Sequence, residues 1–190
     1  MEAKTPKAAA EMSGTILRNF VASFIEYPKV MVAAINGPAV GIAATILPLF
    51  DAVFMSDQAT LWTPFASTAQ APEGCSSYTF PNLMGKAKAN QMLLFDQTLT
   101  AEQAKEVGLV SHVFPHENFE EIVQEKLSEM SQFDTNALER IKKINNVHDN
   151  DFLHLVNERE CQHLIQVWQS PECTKAIQAL TAKLQQSKSS

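Results

Sequence analysis

Val30–Phe54, VMVAAINGPAVGIAATILPLFDAVF, holds the longest apolar concentration in the chain, and its turn residues lie in its middle. Lys29 and Asp51 are its nearest charges. A run of roughly 18 or more apolar residues is long enough to cross a bilayer, so a membrane span is one reading. Asn36-Gly37-Pro38 would interrupt such a helix near its start, and Pro48 would break it again. The other reading is a folded core. Val30–Ile35 is a short β-branched run bounded by turn residues, which suits a buried strand. Pro38–Leu49 then suits a short buried helix, and Ala52–Ser56 a second strand. Strand, tight turn, buried helix and strand make an α/β core unit. Its turn aims backbone N–H groups at whatever sits above the helix N-terminus.

The 190 residues suffice for one domain with a real core. A 45% hydrophobic and 19% charged composition is that of an ordinary globular protein. The net charge of −6 argues against a nucleic-acid surface, which needs a basic stripe. The three cysteines, Cys75, Cys161 and Cys173, are widely spread and lack zinc-ligand spacing, so reduced thiols are expected. Residues 1–14 contain no apolar signal-peptide core and read as a flexible tail, with a targeting remnant as the alternative. Ser187-Lys188-Ser189-Ser190 is near a peroxisomal Ser-Lys-Leu ending but does not match it.

Before the core unit, Ile16, Leu17, Phe20, Val21, Phe24 and Ile25 recur at helical spacing and predict a one-faced helix stopped by Pro28. After it, Thr60–Trp62 predicts a short strand, and residues 67–75 an irregular loop. Ser76–Leu83 predicts a helix interrupted at Pro81, and Lys86–Phe95 a better one. Thr100 with Gln103 forms a capping-box pattern, and Gly108 closes that helix. Leu109–Phe114 predicts a strand. From Asn118 the chain is helical and more charged. Phe119, Ile122, Val123 and Leu127 make one apolar face, and Ala137, Leu138, Ile141 and Ile144 another. Phe152–Trp168 is a further helix, and Ser170-Pro171 starts the last. The organisation is therefore a tail over 1–14, an α/β core over 15–115 and a helical region over 116–190.

No serine-nucleophile elbow, phosphate loop or His-Glu-x-x-His pattern occurs. The five histidines read as structural. Glu73 stands apart as the only charged residue between Asp57 and Lys86. A carboxylate among apolar walls has its pKa raised by desolvation, which suits a base working near neutral pH. Pro72-Glu73-Gly74 is also a good home for an exposed turn glutamate, and the residues alone leave both open.

Asn36-Gly37-Pro38-Ala39-Val40-Gly41 after an apolar strand resembles part of the crotonase (enoyl-CoA hydratase/isomerase) signature. The resemblance continues through Leu47–Val53, Thr63-Pro64-Phe65, Ala71–Pro81, Leu99–Ala104 with Gly108-Leu109-Val110, and Val156–Cys161. It is closest to the branch of delta-3,delta-2-enoyl-CoA isomerases and chromodomain-Y-type proteins. The resemblance implies the C-terminal part of a crotonase-type α/β fold, a short, mostly parallel sheet with flanking helices and then a helical tail. The family's N-terminal half, with its second oxyanion donor and much of the CoA pocket, has no match in this sequence.

Residue by residue, the resemblance implies that Glu73 moves a proton between C2 and C4 of a 3-enoyl-CoA thioester. The Ile42 N–H after the Gly41 turn is implied as one oxyanion donor. Gly41, Phe65, Pro72 and Leu94 are implied as substrate-pocket residues. Hydratases use two glutamates; the matching positions hold Thr45 and Phe65, so alkene hydration is not expected. Chromodomain-Y-type relatives have lost the activity, often with an aspartate at the Glu73 position. The implied chemistry needs no cofactor or metal. The implied partners are an acyl-CoA thioester and further copies in a trimer, not nucleic acid or membrane, and the implied compartment is a peroxisome or mitochondrion. The alternative function is a non-catalytic acyl-CoA-binding or assembly module.

Overall fold

The computed structural model describes residues 5–187. Residues 1–4 of the expected tail, and Lys188-Ser189-Ser190 of the C-terminal ending, lie outside them. The first helix, α1, is Pro6–Ile25, so Pro6–Gly14 is helix and not tail. Thr5 caps it by accepting the Ala8 N–H, and Pro6 occupies the first turn, where a missing amide costs nothing.

The stretch Val30–Phe54 is a folded core, divided more finely than its pattern suggests. β1 is Val32–Ile35, β2 is Ala39–Val40, α2 is the single turn Ile42–Thr45, Leu47–Leu49 is a 3-10 turn and β3 is Ala52–Ser56. The expected helix over 38–49 is thus reduced to a single α turn and a 3-10 turn, and is preceded by a strand. Gly41 is the cause. At φ 60° and ψ −124° it holds a conformation that a side chain resists, while its N–H extends the β2 pairing to the Trp62 carbonyl. No helix among the described residues is long and apolar enough to cross a membrane.

β4 is Thr60–Trp62. α3 is Ser76–Met84 and runs through Pro81, the sixth of its nine residues, whose missing amide removes one helical bond. α4 is Lys86–Leu93, β5 Leu99–Thr100 and α5 Ala101–Glu106, capped by the reciprocal Thr100–Gln103 bonds. β6 is His112–Phe114, shorter than expected because Leu109 and Val110 donate back to the Ala104 carbonyl. Four helices follow: α6 Phe119–Met130, α7 Thr135–Asn146, α8 Asn150–Val167 and α9 Pro171–Ser187.

The strands form two small sheets where one was expected. β1, β3 and β6 lie in the order β1-β3-β6, all parallel, with Val32 opposite Ala52 and Phe54 opposite His112. β2-β4-β5 is the second sheet, parallel then antiparallel. The turn at Asn36-Gly37-Pro38 carries the chain from one sheet into the other. The main core, with Met55, Leu61, Phe80, Met92 and Leu99, fills the space between them. A second cluster joins α1, α2 and α8 through Val21, Ile25, Ile46, Cys75 and Val156. Gly14 allows the close α1–α8 approach, since a methyl there would lie 2.4 Å from the Ile165 side chain. Phe119 and Val123 of α6 pack on Phe54, as their spacing predicts. The α7 face does not follow its pattern: Ile141 is 57% and Ile144 71% exposed in this chain.

Lys142 ties α7 to the sheet. Its Nζ donates to Asp51 Oδ2 at 2.7 Å and to the Lys29 carbonyl at 2.8 Å, and the same Oδ2 accepts the Met31 N–H at 2.7 Å. Removing the ammonium leaves the Asp51 carboxylate and the Lys29 carbonyl without this buried donor. Lys142→Met is expected to lower unfolding stability by about 1.5–3 kcal/mol. Lys126→Met, at a solvent-exposed pair with Glu129, is expected to leave the urea midpoint unchanged.

Candidate active site

The site is built where the β2–α2 turn meets the loop after Phe65. Ile42 is the first residue of α2, so its N–H has no acceptor within the helix. The Ala44 and Thr45 amides close the turn on the Gly41 carbonyl at 2.9 and 3.0 Å, which leaves the Ile42 N–H facing outward from the helix start. α2 is one turn long, so its macrodipole is small and the individual N–H carries the effect.

Glu73 faces this turn. A methyl group built on Gly41 would lie 3.7 Å from Glu73 Oε1. The approach depends on a backbone reversal immediately after the glutamate. Gly74 and Cys75 both hold left-handed φ values, 68° and 65°. Only the first tolerates this without strain. A Cβ on Gly74 would also meet Thr45 Oγ1 at 2.7 Å and Ile42 Cδ1 at 3.2 Å, so the loop lies directly on α2. The Glu73 carbonyl is fixed by the Ser76 N–H at 3.1 Å and the Ser76 hydroxyl at 2.7 Å.

Burial among these apolar neighbours pushes the Glu73 carboxyl from its ordinary 4.5 up to about 7, and the negative charge of Glu160 adds to the rise. The exposed-turn alternative for Glu73 therefore gives way to a largely dehydrated carboxyl. The group can take up or release a proton near neutral pH.

Glu160 was not among the sequence candidates. It lies on α8, is only 6% exposed, and accepts the Cys75 N–H at 2.7 Å and the Ser77 N–H at 2.9 Å. A carboxylate at the start of α3 satisfies amides that the helix cannot. The run Asn157-Glu158-Arg159-Glu160 looks like a solvated helix face, and only the placement of α8 over α3 turns Glu160 inward.

Among the other implied residues, Gly41 and Glu73 are brought together, with Pro72 partly buried beside Glu73. Phe65 is 4% exposed and packs in the main core. Leu94 is 54% exposed at the end of α4. Asp96 links their neighbourhoods: its carboxylate accepts the Ala66 and Ser67 amides at 2.9 and 2.7 Å. Thr45 is fully buried beneath the Glu73 loop. Among the described residues no group of three or more His, Cys, Asp or Glu could hold a metal ion.

The model of the family described as enoyl-CoA hydratase/isomerase matches residues 1–188. The chain belongs to this enoyl-CoA hydratase/isomerase family. It is 47% identical over 165 residues to enoyl-CoA delta isomerase 3, peroxisomal, of Mus musculus, covering 87% of this chain and 52% of that protein. It is 42% identical over 165 residues to testis-specific chromodomain protein Y 2 of Homo sapiens, covering 87% of this chain and 30% of that protein. The chain spans about half the length, or less, of the curated relatives it matches. The solved enoyl-CoA hydratase/isomerase of Pseudoalteromonas atlantica T6c superimposes with a TM-score of 0.82 at 26% identity, covering 86% of this chain and 66% of that one. The crotonase-type fold is thereby established for this family member.

The raised Glu73 pKa has a stability consequence. The folded protein holds the Glu73 proton more tightly than the unfolded chain, so this stabilising contribution is complete below about pH 4.5 and is lost as pH rises through about 7. The full shift corresponds to about 3 kcal/mol. Glu73→Gln is expected to match the unsubstituted chain near pH 4 and to exceed it in chemical-denaturation stability at pH 8. Equal stabilities at both pH values would contradict a dehydrated Glu73.

Proposed function

We propose that this family member shifts the double bond of a 3-enoyl-CoA thioester to the conjugated 2-trans position. The observation that carries the reading is the half-buried Glu73 carboxyl placed against the Gly41–Ile42 turn, its pKa raised by desolvation. The ionised carboxylate takes the C2 proton of the thioester, and the electron pair moves onto the thioester oxygen as a dienolate. The protonated Glu73 then returns that proton to C4, the enolate oxygen re-forms its carbonyl, and the double bond stands between C2 and C3. No atom is gained or lost, so one acid/base residue suffices. The Ile42 N–H holds the developing oxyanion; a donor of this kind is typically worth about 2.7–4 kcal/mol of barrier.

The residues around Glu73 support isomerisation over hydration. The buried Thr45 and Phe65 occupy the positions where the resemblance would put a hydratase's glutamates, so neither position supplies a carboxylate to activate water. Phe65 and Leu94 are proposed as the region bordering the acyl chain. The peroxisome is the proposed compartment, on the printed name of the mouse relative. The exposed Ile141 and Ile144 agree with a proposed homo-oligomer.

A second reading is a non-catalytic acyl-CoA-binding or assembly module. The similarity to a chromodomain protein favours it. Glu73 favours the enzyme, because a binding module has no need of a dehydrated, titratable carboxyl.

The two readings separate in one assay. The purified chain is mixed with a 3-enoyl-CoA, and conjugated product is followed by ultraviolet absorbance. Glu73→Gln is expected to reduce kcat by about 10²–10⁴-fold with unchanged circular dichroism. Calorimetric binding of the thioester without turnover in the unsubstituted chain would select the module instead.

A further inference from the structure

Among the described residues, Glu160 is the buried carboxylate in contact with the candidate site that the proposed proton transfer does not use. It meets the Glu73 loop just beyond the glutamate, and 85 residues of chain separate it from the Cys75 amide that it accepts. Each of its oxygens accepts one backbone N–H: Oε2 from Cys75 and Oε1 from Ser77. These two residues bracket the start of α3 and adjoin the left-handed pair Gly74–Cys75. A left-handed cysteine is strained and persists only where its surroundings over-determine it. The Glu160 carboxylate supplies that constraint, because charge-assisted bonds to N–H groups are among the stronger ones available.

The charged groups around Glu160 leave it without a cation. Arg18 of α1 pairs with Glu158 of the same α8 at 3.0 Å. On α8, Cys161 has its thiol pushed up to about 12, and in the loop Cys75 is likewise pushed to about 12, both by burial first and by Glu160 second. Both are neutral at working pH. Tyr78 of α3 lies in the same apolar cluster. Glu73 is thus the titrating neighbour that feels the Glu160 charge.

We infer that Glu160 is the positioning residue of this site, gripping the Glu73 loop by two backbone amides and setting a second negative charge behind it. The inference rests on reading Glu73 as the base. It assigns Glu160 no contact with substrate. The grip aims the carboxyl at the Gly41–Ile42 turn, and the charge makes the Glu73 proton harder to lose. Burial of Glu160 raises its own pKa, whereas the Ser77 and Cys75 donors lower it toward the charged form that both bonds favour.

The test uses the full chain and does not depend on turnover. Glu73 carboxyl carbons are followed by NMR across pH in the unsubstituted protein, in Glu160→Gln and in Glu160→Asp. Glu160→Gln is expected to move the Glu73 midpoint to lower pH, and Glu160→Asp, which keeps the charge, to hold it near the original. Where isomerase activity is present, the acid limb of kcat against pH should move with the midpoint. The rate should fall in Glu160→Gln and be partly restored in Glu160→Asp. An unchanged Glu73 midpoint in Glu160→Gln overturns the inference, whatever its effect on stability. A shifted midpoint in a chain that never turns over a 3-enoyl-CoA upholds Glu160 and rejects the enzyme reading. Should Glu160→Gln fail to fold, amide exchange in the unsubstituted chain decides: slow exchange at Cys75 and Ser77 upholds the grip, and exchange as fast as in the exposed turns rejects it.

Discussion

The Glu73 loop is held from two sides, and the arrangement of the site follows from that. On one side α2 offers a floor of Thr45, Ile42 and Ile46 so close to Gly74 that no side chain fits there. On the other, Glu160 of α8 accepts the Cys75 and Ser77 amides. The floor comes from the sheet half of the chain and the grip from the helical half. A site of this kind cannot be assembled from residues 15–115 alone. The proposed division at 115 therefore marks a change of pattern along the chain, while the working geometry draws on both sides of it.

This dependence gives the α1–α8 packing a functional meaning. Gly14 lets α1 lie against Ile165 and the Cys161 carbonyl, and Asn157 Nδ2 donates to the Arg18 carbonyl at 2.9 Å. The same stretch of α8 carries Glu160. The position of α1, a helix that contributes no residue to the site, thus fixes the depth at which Glu160 meets the loop. The apolar cluster of Val21, Ile25, Ile46, Cys75 and Val156 seals the interval against water. Dehydration is the larger cause of the raised Glu73 pKa, so this packing tunes the carboxyl as well as supporting it.

The legible parts of the sequence were those governed by local rules. β3, β4, the Thr100–Gln103 capping box and the Ser170 cap, which accepts the Cys173 amide at 3.2 Å, follow from periodicity and cap chemistry. Glu73 stands out as isolated in an uncharged stretch, yet that isolation suits an exposed turn equally, and its half-burial comes only from the contact with α2. Where Gly41 was concerned, the pattern showed an apolar run but not that one glycine conformation would split it into a strand and a single helical turn. Glu160 was hidden for a different reason. A glutamate among Glu158, Arg159 and His163 has the composition of a wet surface, and its burial depends on a contact made across the whole fold. The α7 face went the other way: its apolar spacing is clear, yet Ile141 and Ile144 find no cover within this chain.

A dehydrated carboxyl beside a second buried carboxylate runs against the general rule that buried charges carry opposite partners. Two compensations make it sustainable here. Glu160 has backbone donors on both oxygens, so its charge is solvated by amides in place of water. Among the described residues Glu73 has no comparable donor on its carboxyl, and it can remain protonated until pH approaches 7, which spares the fold two adjacent charges over most of the acidic range. The asymmetry separates the roles of two chemically similar side chains. The glutamate with fixed donors holds the loop, its pKa raised by burial and drawn back by those donors. The glutamate without them keeps its proton until a reaction, or a rise in pH, removes it. Adding a permanent cation beside Glu73 would relieve the repulsion and strengthen the fold, but it would drive the carboxyl toward ordinary acidity and weaken it as a base. The local instability is therefore tied to the proton affinity that the proposed chemistry requires.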